Sequence, residues 1–499
     1  MAIARVGSFA LLGLTAEPVT VEVAVNQGVP GLSVVGLPDK AVGESRDRVR
    51  SALRQLGISM PAGRVTVNLA PADLKKEGPA FDLPIALGIL VAGGYLPESA
   101  LEGRRFTGEL GLDGTIRPVR GLFVFAKRAA AEGEELIVPA ERLSELAHLD
   151  GQFGGAETLE EMISILDGRQ TFRRPEAAEV VELADEGSPF ADITGQVEAK
   201  AALVIAAAGG HHARMVGSPG TGKTLLARTL VKLLPPPSNA ETGELLAINS
   251  LLDPGTSEGY GVGRPFRSPH HTSSQVAMIG GGSPLRPGEI TLAHRGVLFL
   301  DELPEFPRSV LEVLRQPLEE GSVHIARAER RVTWPAAFQL VAAHNPCPCG
   351  YYGDLERECT CPAGARERYL SRLSGPLLDR IDLSVTLHRL PSQTLLDGGQ
   401  DLDTDPRPEV LAARSKQFER QGKLNAALLP AELRGLSIDP EAKAILIQAG
   451  ERFKLSGRAL HRLLRVAQTV ADLADADIIQ KAHILRALSF RGVDQLVTA

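Results

Sequence analysis

The 499-residue sequence has few aromatic residues and no excess of positive charge. Phe, Trp and Tyr make up only 4% of it, which argues against a protein that binds single strands by stacking their bases along an open groove. Its 54 Lys and Arg residues are outnumbered by 61 Asp and Glu residues, for a formal charge of -7. This balance excludes a surface that is basic throughout, so any site for a polyanion must be local.

Long apolar runs are absent as well. The stretches at 9–14 and 85–96 are both shorter than the roughly 18 residues that span a bilayer. The first residues pass directly into an alternating, strand-like pattern instead of a secretory signal. We therefore expect a cytoplasmic protein with no membrane partner.

Cysteine is confined to one loop, residues 345–362, where two C-x-C pairs are separated by nine residues. In a reducing compartment, clustered cysteines are metal ligands or free thiols more often than disulfides. Gly350 and Gly353 would permit tight turns between the pairs, and four thiolates can close a tetrahedral zinc site. The alternative is four reduced thiols, because C-x-C is a less usual ligand spacing than C-x₂-C. The zinc candidates are Cys347, Cys349, Cys359 and Cys361.

The length of the chain predicts two or three domains, because a single hydrophobic core stops growing at roughly 250 to 300 residues. In the first part we predict strands at 19–24 and 65–69 and a helix over 44–57, where Val49 and Leu53 fall on one face. One charged segment and one segment rich in Asp, Gly and Pro indicate two linkers between domains. The predicted division is an α/β domain at 1–165, a linker at 166–188, a second α/β domain at 189–390 and a helical domain at 391–499.

The second α/β domain contains a strand, a glycine-rich loop and a helix in succession. Residues 213–216 lead into GSPGTGKT and then LLARTLVKLL, which is the G-x-x-x-x-G-K-[ST] pattern in its expected context. The loop glycines let the backbone approach phosphates, Lys223 reaches the outer phosphates, and the Thr224 hydroxyl binds Mg²⁺. An ordinary glycine-rich turn would not place Lys-Thr in this register. The predicted ATP-binding residues are Gly217, Ser218, Pro219, Gly220, Thr221, Gly222, Lys223 and Thr224.

Two more strands are predicted to end beside this loop. The run at 297–300 ends in Asp301 and Glu302, which we expect to hold Mg²⁺ through water and to polarise the attacking water, respectively. The run FQLVAAHN ends in Asn345, which would touch the γ-phosphate. Because phosphoryl transfer depends on positioning and charge, an arginine is also expected at the site. Arg380 is the candidate, with a salt bridge to a flanking Asp as the structural alternative.

Three more groups of basic residues attract interest. Arg458, Arg462 and Arg465 repeat on one helical face, where a solvated basic surface is the ordinary explanation, and only Arg458 is predicted to be catalytic. The segment 323–338 predicts a β-hairpin that could line a pore and contact DNA phosphates through arginines near its tip, with unpartnered surface arginines as the alternative. Adjacent histidines on a strand point to opposite faces, and no metal ligand follows His270 and His271 at a suitable spacing. We therefore predict no metal site there and place both histidines in a loop insertion at about 255–290, before the acidic strand. The DNA-binding candidates are Arg327, Arg330 and Arg331.

These motifs together resemble the AAA+ ATPases of the magnesium-chelatase-like group, and most closely the ComM (YifB) family. The likeness covers nearly the whole chain and is densest in FADITGQVEAKAALVIAAAGGHH, FRSPHHTSSQVAMIGGG, GVLFLDELPEF, NPCPCG and SGPLLDRIDL. It implies that Arg380 is an arginine finger supplied to a neighbouring subunit and that Arg458 is a second sensor on a helical lid, and hence a homo-hexameric ring. It also implies a DNA helicase that uses ATP and Mg²⁺ to drive branch migration during recombination in natural transformation, with recombination proteins among its partners.

The amino-terminal domain is similar to the protease domain of Lon, within the ribosomal-protein-S5-like fold. The likeness lies in KKEGPAFDLPIALGIL and GELGLDGTIRPVRGL. Where Lon-type proteases carry the nucleophilic Ser and its paired Lys, this chain has Ala80 and Phe123. Acyl transfer needs an activated nucleophile and a base, so we predict an inactive protease fold used for assembly or substrate contact.

Two other functions compete with a DNA motor. One is the ATPase subunit of a magnesium chelatase that remodels a partner, although its motor subunits are not expected to carry the amino-terminal domain found here. The other is a protein unfoldase. A Lon-like protease is excluded by the missing nucleophile and base, which leaves unfolding without cleavage.

Overall fold

The structure, a computed structural model, is a mixed α/β protein with two main sheets and a helical carboxy-terminal region. It describes residues 3–176, 187–253, 263–282, 284–326, 331–354, 356–391, 393–394 and 404–491. Parts of both predicted linkers, and the hairpin residues Arg327 and Arg330, lie outside these ranges.

The first sheet is built from β1 Ile3–Leu12, β2 Thr15–Asn26, β3 Gly31–Val35, β4 Arg64–Ala70, β5 Arg104–Phe106, β8 Glu135–Pro139 and β9 Phe153–Ala156. A two-stranded ribbon, β6 Glu109–Leu110 and β7 Ile116–Arg117, lies outside it. The strand order is β3-β4-β2-β1-β5-β8-β9, in which β1 and β2 form an antiparallel hairpin. The strands predicted at 19–24 and 65–69 lie inside β2 and β4.

Four helices accompany this sheet: α1 Lys40–Gln55, α2 Asp82–Ala92, α3 Leu122–Glu132 and α4 Leu159–Leu166. The helix predicted at 44–57 is α1, and its Val49 and Leu53 are buried as expected. Helix α2 is buried from Asp82 to Leu90, which suits a helix that is apolar around its whole circumference. Ala80 and Phe123, where the resemblance to Lon expects a nucleophile and a base, are both buried among apolar side chains.

The second sheet contains five parallel strands, β10 Ala213–Gly217, β11 Phe266–Arg267, β14 Val297–Leu300, β17 Gln339–His344 and β18 Leu383–Leu387. Their order is β11-β14-β17-β10-β18, which places β10 next to the centre. Two small antiparallel pairs lie outside it: β12 Gly280–Gly281 with β13 Arg286–Pro287, and β15 Ser322–Ala326 with β16 Arg331–Pro335. The second pair is the predicted hairpin, and Trp334 on it is buried.

Nine helices described here belong to this region: α5 Val197–Gly209, α6 Lys223–Leu233, α7 Asn239–Asn249, α8 Gln275–Ile279, α9 Glu289–Leu292, α10 Arg308–Val313, α11 Arg315–Glu320, α12 Ala363–Leu370 and α13 Gly375–Leu378. The chain then becomes helical, as predicted, with α14 Arg407–Gln421, α15 Pro430–Leu433, α16 Pro440–Arg452, α17 Gly457–Leu473 and α18 Lys481–Ser489. Helices α14, α17 and α18 share a hydrophobic core with α5 and α6.

Each region has a hydrophobic cluster of its own, and a third cluster joins the two regions. Phe9 and Phe125 of the amino-terminal region belong to the same buried cluster as Leu246, Met278 and Trp334 of the second region. A hydrogen bond also links the two regions. The backbone N–H of Gly121, just before α3, donates to the carbonyl of Ser250, just after α7, at 2.6 Å. The predicted boundary at 166–188 therefore separates the two regions in sequence, but the third cluster includes residues from both of them.

No helix in the described ranges is both long enough and apolar enough to cross a membrane.

Candidate nucleotide site and cysteine cluster

The candidate nucleotide site lies where β10, β14 and β17 end. These strands are parallel neighbours, so their carboxyl ends reach the same edge of the sheet. The loop 218–222 follows β10, Asp301 and Glu302 follow β14, and Asn345 follows β17. The structure thus brings together groups that are separated by more than 120 positions in sequence.

The glycine-rich loop turns directly into α6. Gly222, its last residue, has a φ of 86°, in the left-handed region that side chains rarely adopt. Helix α6 begins at Lys223, so its unpaired amide N–H groups face the loop. A helix start behind a glycine turn forms a site for phosphate, as the sequence motif predicts.

Lys223 is held over this loop by three hydrogen bonds. Its Nζ donates to the carbonyls of Gly217 at 2.7 Å and Ser218 at 3.0 Å, and to Asn345 Oδ1 at 3.1 Å. Burial lowers the pKa of its ammonium group, and the charges of Asp301 and Glu302 oppose that shift. The bond to Asn345 places the predicted sensor residue and the predicted phosphate-binding lysine in direct contact.

Thr224 and Asp301 fit a magnesium ion. The Thr224 hydroxyl donates to Asp301 Oδ2 at 3.2 Å, so a hydroxyl and a carboxylate oxygen face the same point. Mg²⁺ prefers oxygen ligands and usually binds one or two carboxylates together with substrate phosphates. The donor set therefore matches the metal that the sequence predicts.

Glu302 has an unexpected partner. Its Oε2 lies 3.1 Å from Nδ1 of His271, whose ring contacts the tilted ring of His270 with centroids 4.1 Å apart. The two histidines follow β11 and do not lie on a strand, which agrees with the predicted loop insertion. Their spacing in sequence does not reveal this contact, because the partner carboxylate follows a neighbouring strand.

Asn345 is also contacted from α12. Burial raises the pKa of the Tyr369 hydroxyl above its usual value, and the charge of Glu305 raises it further, while the Asn345 backbone opposes this shift. No sequence motif marked Tyr369, because an aromatic residue in a charged helix has no distinctive spacing.

Arg380 pairs with Glu319 within the same chain. Its Nη2 contacts the Glu319 carboxylate, its Nη1 donates to the Pro376 carbonyl, and its side chain is 12% exposed. The flanking aspartates, considered as structural partners, are engaged elsewhere: Asp379 with Arg462, and Asp382 with His211. Arg380, which follows α13, is thus held in place by a carboxylate from α11.

The arginines of α17 do not form a solvated basic face. Arg462 donates to the carbonyls of Leu378 at 3.1 Å and Ile381 at 2.7 Å, and Arg465 donates to the Leu428 carbonyl at 2.9 Å. Arg458 is exposed near the start of the helix. The prediction of a solvated basic face is therefore wrong for Arg462 and Arg465. The carbonyls that they contact are too distant in sequence to be identified from spacing.

A buried polar chain also joins the second sheet to the helical region. His211 Nδ1 lies 2.9 Å from Asp382 Oδ2, and its Nε2 lies 2.8 Å from the Thr469 hydroxyl on α17. Burial acts to raise the pKa of Asp382, but the hydrogen bond and charge of His211 outweigh it and hold the pKa below its usual value. This contact fixes α17, and hence Arg458, relative to the sheet.

The four cysteines form a compact cluster. Their Sγ atoms all lie within 4.8 Å of one another, and three separations measure 3.4, 3.6 and 3.7 Å. A disulfide requires about 2.05 Å, whereas tetrahedral thiolates about 2.3 Å from a zinc ion lie roughly 3.8 Å apart. The chemistry and spacing of the donors thus fit one tetrahedral zinc ion.

The cysteine loop packs against the phosphate loop. Gly350 has a φ of 88°, and a Cβ atom there would lie 2.6 Å from Pro219 Cδ. The Ser218 side chain holds the pKa of the Asp354 carboxylate below its usual value. The predicted tight turn at Gly350 is therefore present, and it brings the cysteine loop onto the nucleotide site.

The nucleotide site and the cysteine loop fall within a region that matches a known family. Residues 189–395 match the family described as "Magnesium chelatase, subunit ChlI". Residues 21–142 match "Subunit ChlI of Mg-chelatase", and residues 404–491 match "Magnesium chelatase, subunit ChlI C-terminal".

Similarity to individual proteins extends further along the chain. YifB of Escherichia coli is 44% identical over 505 residues, covering 100% of this chain and 98% of YifB. Competence protein ComM of Haemophilus influenzae is 44% identical over 507 residues, covering 100% of this chain and 99% of ComM. Magnesium-chelatase subunit ChlI of Euglena gracilis is 28% identical over 184 residues, which cover 32% of this chain and 52% of that subunit.

Proposed function

This chain belongs to the ComM/YifB family of magnesium-chelatase-like proteins, and from that premise we propose that it is an ATP-driven DNA motor. In the proposed reaction, a homo-hexameric ring hydrolyses ATP in the cytoplasm to drive branch migration during recombination in natural transformation. The observation that carries the ATPase part is the meeting of Lys223, Thr224, Asp301 and Asn345 at the ends of three parallel strands. The DNA part rests on the full-length similarity to competence protein ComM.

In this proposal, some residues bind the phosphates and Mg²⁺, and others activate the reaction. Lys223 and the amides of the loop neutralise the phosphates, and Thr224 with Asp301 holds Mg²⁺, which withdraws charge from the transferred phosphoryl group. Glu302 polarises the attacking water, and Asn345 contacts the γ-phosphate. Each role needs a group at the sheet edge where these residues lie.

Two arginines suit a ring in which each site is completed by a neighbour. Arg380 serves as the arginine finger, and on docking it exchanges its Glu319 partner for the phosphates of the adjacent subunit. Arg458, exposed near the start of α17, serves as the second sensor within its own subunit. A charged group supplied by a neighbour would make hydrolysis depend on assembly.

The β15–β16 hairpin is the proposed DNA contact. It lies immediately before β17, so movement of Asn345 on hydrolysis would be transmitted to the hairpin through one strand. Arg327, Arg330 and Arg331 would contact DNA phosphates, which position a strand without reading its sequence. Recombination proteins are the expected partners for delivery of branched DNA.

The cysteine cluster is proposed to hold one structural zinc ion. Four thiolates satisfy the usual tetrahedral coordination, and the loop between the pairs has no hydrophobic core of its own. Cys347 is the buried member of the cluster, while the other three are partly accessible.

A magnesium-chelatase ATPase that remodels a protein partner is the second candidate. The family matches favour it by description, and one of them covers residues 21–142, so the amino-terminal domain does not by itself separate the two functions. The similarity to the Euglena gracilis chelatase subunit, however, extends over 32% of this chain, compared with 100% for ComM. Full-length similarity favours the DNA motor.

One assay separates these functions. Steady-state ATP hydrolysis is measured alone, with a four-way DNA junction, with porphyrin-chelatase partner subunits and with unfolded protein, while junction movement is followed by gel. We expect the junction to stimulate hydrolysis and to be resolved only by protein with an intact Glu302, with Glu302→Gln as the matched control. Stimulation by chelatase subunits and not by DNA would reject the motor.

A further inference from the structure

His271 is placed beside the nucleotide site by the order of the second sheet. Strand β11 pairs in parallel with β14, through Phe266 with Val297 and Arg267 with Leu298. The turn after β11 therefore emerges at the same sheet edge as Glu302. The sequence motif for phosphate binding does not include this turn, and no role has been given to its histidines.

The ring of His271 is fixed on two sides. It contacts the tilted His270 ring, with centroids 4.1 Å apart, and meets the Phe306 ring edge-on at 6.5 Å. His270 is itself held, because its Nδ1 lies 2.9 Å from the Thr272 hydroxyl. The His271 Nδ1 is thereby kept 3.1 Å from Glu302 Oε2.

Glu302 needs an external restraint. Its backbone has a φ of 52°, a left-handed conformation that costs a non-glycine residue of order 1 kcal/mol, and its side chain is 54% exposed. Within the described ranges, His271 is the polar side chain within hydrogen-bonding distance of this carboxylate. An exposed carboxylate with free rotamers would spend much of its time turned away from the phosphates.

We propose that His271 is a positioning residue for ATP hydrolysis, which orients the carboxylate of Glu302. The Nδ1 atom of the imidazole donates to Oε2, and this leaves Oε1 to accept a hydrogen bond from the attacking water. Because His271 acts through Glu302, it contributes to turnover and not to binding of the nucleotide. The inference rests on the proposed ATPase function and on the water-polarising role of Glu302.

The test compares three variants of the full-length protein under conditions where the parent hydrolyses ATP. His271→Leu removes the donor and should lower kcat on the order of 10- to 100-fold, with KM and the Kd of a non-hydrolysable ATP analogue within about twofold of the parent. His271→Asn keeps an N–H donor near the position of Nδ1 and should recover most of the lost rate. Gln275→Leu, at an exposed position at the start of α8, is the control and should stay within about twofold of the parent.

A double-mutant cycle isolates the pair from general damage to the fold. If His271 acts through Glu302, His271→Leu should have no further effect in a Glu302→Gln background. Unchanged kcat in His271→Leu, an additive loss in the double variant, or a rate that rises when the histidine is removed would each overturn the inference. Absence of ATP hydrolysis by the parent protein, in contrast, would overturn the proposed function itself.

Discussion

His344, the last residue of β17, is a buried histidine beside the nucleotide site. Its Nδ1 contacts the Asn345 carbonyl at 2.7 Å. Burial is the main cause that lowers its pKa to about 4; the contact with Asn345 opposes this shift, and the charges of Arg214 and Lys223 add to it. The side chain therefore remains neutral in the folded protein at pH values where an unfolded chain would bind a proton.

This difference predicts how stability depends on pH. Between about pH 6.5 and pH 4, the unfolded chain binds a proton at His344 that the folded chain does not, so stability should fall as pH is lowered, by at most about 1.4 kcal/mol per pH unit. His344→Asn should weaken this dependence. The measurement is the urea midpoint of both proteins from pH 5 to pH 8.5.

The window above pH 7 is the internal control for this variant. There, neither state of His344 binds a proton, so the two curves should run parallel even if the variant is less stable. Curves that also run parallel down to pH 5 would show that His344 contributes nothing to the dependence.

At the scale of single residues, the sequence predicts those roles that are encoded by a contiguous motif. Lys223 and Thr224 could be assigned because the loop and the helix are adjacent in sequence, and Asp301 because it ends an apolar run. His271 and Arg462 could not be assigned, because their partners are 31 and 83 positions away and are set by the strand order and by the docking of α17. A polar residue gains its role from its partner, and spacing along the chain does not reveal a distant partner.

At the scale of elements, the cysteine loop packs against the phosphate loop and would couple a bound zinc ion to it. The main contact is the close approach of Gly350 to Pro219. The Ser218 side chain also holds the pKa of the Asp354 carboxylate below its usual value. A loop without its own core becomes disordered when its metal is lost, and these contacts would be lost with it. We therefore expect that zinc supports nucleotide binding as well as the local fold.

Removing the metal tests this coupling. Protein purified without chelator should contain close to one zinc ion per chain, and Cys359→Ser should lose it and bind a fluorescent ATP analogue roughly 10-fold more weakly, about 1.4 kcal/mol. Glu358→Ser, an exposed neighbour in the same loop, is the matched control and should keep both properties. Gly350→Ala should weaken binding with zinc retained, because the new Cβ would push against Pro219. Full nucleotide affinity in zinc-free protein would contradict the coupling.

Elements were predicted well where one periodicity dominates. Helix α1 and strands β2, β4, β14 and β17 follow from their apolar patterns, and the hairpin at 323–338 follows from two short runs around a polar tip. The packing of the cysteine loop on the phosphate loop did not follow, because it depends on one glycine in a left-handed conformation meeting a proline from another loop. Such contacts need the tertiary fold.

At the scale of the whole molecule, the proposal that Arg380 is an arginine finger predicts that the active site is shared between subunits. Arg380→Ala should bind ATP normally and hydrolyse it on the order of 10³-fold more slowly, the low end for loss of a finger supplied by a neighbour. Mixing it with Lys223→Ala subunits should restore part of the activity, because some interfaces then combine an intact Lys223 with an intact Arg380. A chain carrying both changes, mixed with either variant in place of its complement, is the control and should rescue less. Failure of the mixture, with rings shown to form, would make Arg380 a structural residue that holds Glu319.

The shared core between the two sheets distinguishes this molecule from a chain of independent domains. Phe9, Phe123 and Phe125 from the first region pack in one cluster with Leu246 and Met278 from the second. Each buried aromatic side chain contributes several kcal/mol when it is fully enclosed. Neither region can bury these groups alone, although each is large enough to be a domain by length.

This arrangement predicts the behaviour of fragments. A fragment of residues 189–499 would expose the apolar groups that normally pack against α3, so it should bind a hydrophobic dye and aggregate. Co-expression with residues 1–176 should rescue its solubility, because the partner supplies the missing side of the core. The measurements are dye fluorescence and size-exclusion chromatography of the fragment alone and of the pair.

A point variant separates loss of the shared core from damage caused by cutting the chain. Phe125→Ala in the full-length protein should destabilise it by about 3 to 5 kcal/mol and should lower the unfolding midpoint of both regions together, because one cluster joins them. Arg128→Ala, on the same helix but paired at the surface with Glu132, is the matched control and should change stability by less than about 1 kcal/mol. A soluble, dye-free fragment 189–499, together with a Phe125→Ala protein in which only the first region is destabilised, would show that the two regions fold independently.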